Sequence, residues 1–141
     1  MSIKTIPVTI SIRDKDIEQS NLKKELRIDR YRLGHELSHQ PGLYAWWASL
    51  SAAAAARLDE LEDRLDDLEE ELFEEYKEGR KVTDVKHKIK RDSKYLELRD
   101  KVRRWKSAKR FLEKAEKAFE QRLEALRSLS ARERRERREE E

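Results

Sequence analysis

Leucine recurs on a heptad pattern in the middle of the chain, and this spacing constrains the fold more than any other feature. Five leucines are separated by three and four residues in alternation: Leu58, Leu61, Leu65, Leu68 and Leu72. This spacing places all five on one side of an α-helix, and Trp47 and Leu50 lie near the same side. The sequence therefore predicts a helix over about residues 43–76, with Gly79 as its C-cap.

A second apolar stripe follows in the C-terminal part of the chain. Its members recur at helical spacing: Leu98, Val102, Trp105, Ala108, Leu112, Ala115, Phe119, Leu126 and Leu129. The stripe predicts a second long helix, from Lys94 to about Ala131. Because the 141 residues include only 3 Gly and 2 Pro, few turns are available, and a small number of long helices is favoured.

Two long helices joined by a short connector should fold back on each other as an antiparallel hairpin. Such a pair buries little apolar surface by itself, so we expect copies of the chain to complete the core by self-association. The predicted fold class is all-α: a long antiparallel helical hairpin with shorter flanking helices, assembling into a homo-oligomer.

Shorter elements are predicted on either side of the first long helix. Alternating apolar residues within residues 3–12 indicate a short strand or an extended arm. A helix over about residues 21–39 is expected to end at Gln40-Pro41-Gly42. Thr83 is the expected N-cap of a short helix, and Asp92-Ser93 offers the cap of the last one.

The same features suggest three regions along the chain. Residues 1–20 form the N-terminal arm, residues 21–131 a helical domain, and residues 132–141 an Arg/Glu-rich tail. The tail is either a helix held by ion pairs between residues four apart or a disordered segment.

Charge is divided between the two predicted long helices. Residues 43–76, the acidic arm, contain 11 acidic and 2 basic residues and carry a net charge of −9. Residues 77–110, the basic window, contain 15 Lys and Arg against 5 acidic residues, a net charge of +10. The whole chain carries only +3, so binding of a polyanion would depend on the basic window.

The basic window predicts contacts with nucleic-acid phosphates, because clustered Lys and Arg displace counterions when they neutralise phosphates. The candidate DNA-binding residues are Lys86, Lys88, Lys90, Arg91, Lys94, Arg103, Arg104, Lys106 and Arg110. Tyr95 and Trp105 lie among them and belong to the residue types that stack on unpaired bases. The alternative is a solvated face that complements the acidic arm, with both aromatic residues in the helix seams; for Trp105 the seam is favoured.

Aromatic residues near the start of the acidic arm predict an oligomer contact. Trp46 and Trp47 are adjacent, so on a helix they point about 100° apart and cannot share one seam. One is expected inside the hairpin and the other at an interface. The candidate interface residues are Tyr44, Trp46, Trp47 and Leu50.

The segment from His35 to His39 matches the H-E-x-x-H pattern of helical zinc sites. A zinc hydrolase is disfavoured because Pro41 should end the helix too early and only His87 remains as a further histidine. The chain contains no Cys, which excludes thiolate ligands and disulfides, and no phosphate loop or nucleophile motif. We therefore expect no enzyme activity, no metal site and no cofactor.

The order of several short patterns resembles the UvsY-type recombination mediators of bacteriophages. The patterns are Leu43-Tyr44-x-Trp46-Trp47, Tyr76-x-x-Gly79, Val82-Thr83, Asp92-x-x-Tyr95-x-x-Leu98 and Arg122-x-x-x-Leu126-x-x-Leu129. The resemblance covers about residues 20 to 130. In one respect the chain departs from the family. Glu69, Glu70 and Glu71 precede the Tyr-x-x-Gly corner, where the family has basic residues, so the DNA-contact role is assigned from charge to the basic window.

The resemblance implies a helical homo-oligomer, ring-like in the family, that binds single-stranded DNA and has no catalytic activity. It also implies two protein partners, a single-strand DNA-binding protein and a RecA-like recombinase that the mediator helps to load onto DNA. The alternative is a coiled-coil structural or assembly protein, such as a scaffolding factor, without DNA binding. No signal peptide is recognisable and the longest apolar stretch is too short to cross a membrane, so we expect a cytoplasmic protein, in the host cytoplasm if phage-encoded.

Overall fold

The computed structural model describes the backbone of residues 10–12, 15–17 and 19–140 and the side chains of residues 22–140. It begins with a two-stranded antiparallel ribbon, in which β1 (Ile10–Ile12) pairs with β2 (Lys15–Ile17) and Ile10 lies opposite Ile17. The end of the expected strand or arm is thus a strand, whereas residues 3–9 lie outside the described residues. The second strand was not predicted.

The rest of the described chain is helical. Its elements are α1 (Gln19–Leu26), a 3-10 helix (Arg30–Arg32), α2 (Leu33–Tyr76), α3 (Val82–Arg91) and α4 (Ser93–Glu140). The predominance of helix and the packing of long helices against others confirm the coarse fold prediction.

The break before α2 lies earlier than the sequence predicts. The expected stop at Gln40-Pro41-Gly42 is inside α2, and the chain turns instead before Leu33, where Asp29 Oδ1 accepts a hydrogen bond from the Tyr31 N–H (3.0 Å). A proline inside a helix removes one backbone hydrogen bond and costs about 3 kcal/mol. The helix continues here because Pro41 is exposed, while the neighbouring Gln40 side chain is buried and hydrogen-bonded across to α4.

Other helix ends agree more closely with the sequence. Asp92 caps α4 as predicted, because its Oδ1 accepts a hydrogen bond from the Lys94 N–H (2.9 Å). Thr83 is not the cap of α3, because α3 starts at Val82 and Lys81 occupies the N-cap position, two residues earlier than predicted. Gly79 adopts a positive φ of 70° in the turn that follows α2. The Arg/Glu-rich tail takes the helical alternative, since α4 continues to Glu140.

The chain forms two compact units, and α2 and α4 contribute residues to both. Unit 2 comprises residues 53–109 and has an apolar core. Two clusters of buried side chains lie in this core, one of Leu58, Leu61 and Val102 and one of Leu72, Val85 and Ile89. Leu58 and Leu61 of α2 pack with Val102, whereas Leu72, further along α2, lies in the cluster against which Tyr95 packs near the start of α4. The two helices therefore run antiparallel within unit 2, as the seams predict.

Unit 1 comprises residues 1–52 and 110–141. Its core joins α2 to α4 through Trp47 and Phe119, whose ring centroids lie 5.9 Å apart. The Trp47 Nε1–H donates a hydrogen bond to Glu25 Oε2 of α1 (2.6 Å). Unlike unit 2, unit 1 also buries polar side chains: Gln40, Ser51 and Arg122.

Candidate nucleic-acid interface

Two buried residues hold α3 in place and turn its basic residues outward. Val85 and Ile89 lie one helical turn apart, are 0% and 2% exposed, and pack against Leu72 of α2. Because these two residues fill the inner side of a ten-residue helix, its polar residues face solvent. The exposed basic residues of α3 are Lys86, Lys88, Lys90 and Arg91.

Tyr76 and Asp92 fix the corner from which α3 and α4 begin. The Tyr76 hydroxyl donates a hydrogen bond to Asp92 Oδ2 (2.6 Å), which joins the end of α2 to the start of α4. This bond is the main cause that raises the pKa of Tyr76 to about 12 and lowers the pKa of the Asp92 carboxyl from 3.8. Lys88 Nζ lies 4.4 Å from the centre of the Tyr76 ring, a cation–π contact that orients one of the candidate residues.

All nine predicted DNA-binding residues are exposed. Four lie on α3 and five on α4, namely Lys94, Arg103, Arg104, Lys106 and Arg110. Eight belong to unit 2, whereas Arg110 begins the second segment of unit 1. The structure therefore presents the basic residues of unit 2 to solvent from two helices that share one core.

The acidic arm does not neutralise these residues through ion pairs. Ion pairs among the described residues of unit 2 join near neighbours in sequence: Arg57–Glu60, Arg64–Glu60, Lys77–Glu74 and Arg104–Asp100. None of them connects an acidic residue of α2 to a basic residue of α3 or α4. Of the nine candidates, only Arg104 forms an ion pair with a described residue.

One residue outside the predicted set lies on the same face as two of its members. Arg99, Arg103 and Lys106 are spaced by four and three residues, which places them on one side of α4. The Arg99 guanidinium lies 6.0 Å from the centre of the Tyr95 ring. Helical spacing alone would have identified Arg99, because it lies four residues before Arg103.

The aromatic residues of the basic window pack inward. Tyr95 lies against the cluster that contains Val85, and Trp105 lies against the cluster that contains Val102. Both are half-buried, so their rings contribute to the core of unit 2. This outcome matches the alternative in which both aromatic residues lie in the helix seams. The basic surface therefore offers charged side chains rather than aromatic rings on which bases could stack.

The predicted oligomer residues occupy two different environments in unit 1. Trp47 and Leu50 are 1% and 0% exposed and are enclosed by the chain itself, so they leave no surface for a second copy. Trp46 is 36% exposed, and the half-buried Tyr44 donates a hydrogen bond to Glu120 Oε1 (3.2 Å). Any contact with another chain through this set therefore involves Tyr44 and Trp46.

The H-E-x-x-H segment lies on α2, but its glutamate is already engaged. Glu36 forms a partly buried ion pair with Arg122, whereas His35 and His39 are exposed. The helix does continue beyond His39, so the expected obstacle at Pro41 is wrong. Within residues 22–140 no three His, Cys, Asp or Glu side chains are grouped to hold a metal ion. A peptidase-like zinc centre is not supported by these residues.

Sequence reasoning missed the buried arginine of unit 1. Arg122 donates hydrogen bonds to Glu36, to Gln40 Oε1 (2.7 Å) and to the Arg27 backbone carbonyl (3.0 Å). Gln40 Nε2 in turn donates to the Phe119 carbonyl (2.6 Å). Its position in the sequence could have identified it, because Arg122 falls on the apolar stripe of the last helix. A charged side chain buried there needs hydrogen-bond partners.

Comparison with protein-family models, with curated proteins and with solved structures finds no match to this chain. The resemblance to UvsY-type mediators therefore stays a prediction from the residue pattern. None of the helices in the described part of the chain has the length and apolar character needed to cross a membrane.

Proposed function

We propose that this protein is a single-stranded DNA-binding recombination mediator, which helps to load a RecA-like recombinase onto DNA coated by single-strand DNA-binding protein. The observation that carries the proposal is the set of exposed basic residues on α3 and α4, which form no ion pairs with the acidic arm. This arrangement leaves the positive charge of the basic window available to a polyanion.

The binding chemistry is contact with phosphates. Each Lys or Arg that neutralises a phosphate releases counterions, so affinity falls steeply as salt rises. Because Tyr95 and Trp105 pack into the core, base stacking by these rings does not contribute. Phosphate contacts carry no sequence information, so binding is expected to be independent of DNA sequence. A self-associated mediator would present several such surfaces along one strand and expose that strand to the recombinase.

Adjacent arginines on α4 provide a matched test. Arg103 shares a face with Arg99 and Lys106 and forms no ion pair with a described residue, whereas Arg104 pairs with Asp100 of the same helix. Arg103→Glu and Arg104→Glu change the net charge equally, but they act on different sides of the helix.

We expect Arg103→Glu to weaken single-stranded DNA binding about tenfold and to reduce the salt slope by about 1 to 2. Arg104→Glu should have a clearly smaller effect. Fluorescence anisotropy of labelled single-stranded and double-stranded oligonucleotides at several salt concentrations measures both. Wild-type affinity in Arg103→Glu, or equal losses in the two variants, would contradict this binding face.

The alternative function is a coiled-coil structural or assembly protein without DNA binding. It is favoured by the heptad seams, whose buried leucines on α2 pack against α4 within unit 2. The same titration separates the two functions, because the assembly protein should show no DNA binding even at low salt.

A further inference from the structure

Two histidines lie side by side near the start of α2. His35 and His39 are four residues apart and exposed. Their ring centroids are 4.0 Å apart, with an angle of 36° between the ring planes. Residues four apart on a helix lie on the same face, and two imidazoles that are this close can reach one metal ion.

The hydrogen bonds of His39 leave its Nε2 available to bind a metal ion. Its Nδ1 lies 2.9 Å from the backbone carbonyl of His35. Because a carbonyl can only accept, Nδ1 of the neutral ring carries the proton and Nε2 keeps its lone pair. A hydrogen bond of this kind fixes the tautomer of a histidine ring and orients the ring as a metal ligand. The Ser38 hydroxyl, 3.1 Å from the same Nδ1, lies on this side of the ring as well.

We propose that His35 and His39 form a two-histidine site for a divalent transition metal ion of the Zn²⁺ or Ni²⁺ type. Imidazole nitrogen is a preferred ligand of these ions. Glu36 is held by Arg122, and the described residues offer no third grouped ligand. Water therefore completes the coordination shell, and the site is open and exchangeable rather than structural.

Two opposing effects set the behaviour of the site. The positive end of the α2 dipole and the neighbouring Arg30 and Arg32 of the 3-10 helix lower its affinity for a cation. A bound ion nevertheless links two consecutive turns of α2. It should therefore stabilise the folded chain by mass action, since the unfolded chain does not hold the two rings together.

Calorimetric titration of the full-length, untagged protein with Zn²⁺ tests this site. The third histidine, His87, is exposed on α3 and supplies the matched control. We expect one ion per chain in the wild type, reversed by a chelator. Binding should weaken more than about tenfold in His35→Ala and in His39→Ala and stay unchanged in His87→Ala.

The variants are expected to keep their helices, because both positions are exposed and alanine favours a helix. Circular dichroism checks this directly. Absence of saturable binding to the wild type would overturn the site. So would binding that persists when either His35 or His39 is replaced in a folded variant, or binding that is lost in His87→Ala.

Discussion

Units 1 and 2 place their charged residues in opposite ways. In unit 1, the Arg122 side chain is only 4% exposed and donates its hydrogen bonds within the unit. In unit 2, every buried residue among those described is apolar, and the basic residues of α3 and α4 face solvent. A buried charge must be paired for the fold to be stable, whereas an exposed charge contributes little to stability and is free to meet a ligand. Charge should therefore govern folding in unit 1 and binding in unit 2.

Removing the buried arginine should produce the largest loss of stability. Arg122→Ala leaves Glu36 and Gln40 without their main partner, and breaking a buried ion pair from one side costs about 3–5 kcal/mol. Urea denaturation followed by circular dichroism measures the free energy of unfolding. The control is Arg127→Ala, whose exposed pair with Glu124 contributes less than about 1 kcal/mol.

A double replacement sharpens this prediction. Replacing Arg122 by Met and Glu36 by Leu removes both charges, so no unpaired charge remains, and much of the lost stability should return. An Arg122→Ala variant as stable as Arg127→Ala would show that the buried network contributes nothing to unit 1.

In unit 2, the Tyr76–Asp92 hydrogen bond should make the free energy of unfolding depend on pH. The pKa of Asp92 is lowered from 3.8 mainly by its hydrogen bond from Tyr76. A carboxyl whose pKa is lower in the folded chain than in the unfolded chain stabilises the folded state at pH values above its unfolded pKa. This contribution is lost as the pH falls through the folded pKa. The free energy of unfolding of Asp92→Asn should therefore lie below that of the wild type at about pH 7, and the difference should shrink at about pH 3.

Urea titrations at the two pH values measure this effect, which should be smaller than that of Arg122→Ala because the Tyr76–Asp92 hydrogen bond is only partly buried. Asp66→Asn is the control, since Asp66 is exposed on α2 and forms no hydrogen bond or ion pair with a described residue. A difference for Asp92→Asn that is equal at both pH values would contradict a role for the carboxylate.

The helical seams were predictable because they depend on local periodicity. Leu58, Leu61 and Val102 were identified from spacing and are buried. The end of the first predicted helix was wrong because a tertiary contact overrides the local rule. Pro41 normally stops a helix, but Gln40 is bound to the Phe119 carbonyl, 79 residues away in the sequence.

The candidate nucleic-acid interface could also be predicted only as far as it depends on local sequence. Composition located the basic residues, and helical spacing could have added Arg99. Whether Arg103 meets an acidic partner depends on how α2 and α4 face each other, which is not encoded in the charge of either segment. Arg122 and Glu36 are 86 residues apart, so their pairing could not be inferred from local sequence.

The smallest expected effects come from the same substitution in each unit. Gly42 lies inside α2 in unit 1, and Gly79 has a φ of 70° in the turn of unit 2; an added Cβ meets nothing within 4 Å at either position. Only backbone conformation then decides the outcome. Gly42→Ala should raise the free energy of unfolding by about 0.5–1 kcal/mol, and Gly79→Ala should lower it by about 1–2 kcal/mol. Chemical denaturation measures both, and changes of the same sign would mean that packing rather than the backbone limits one of the two positions.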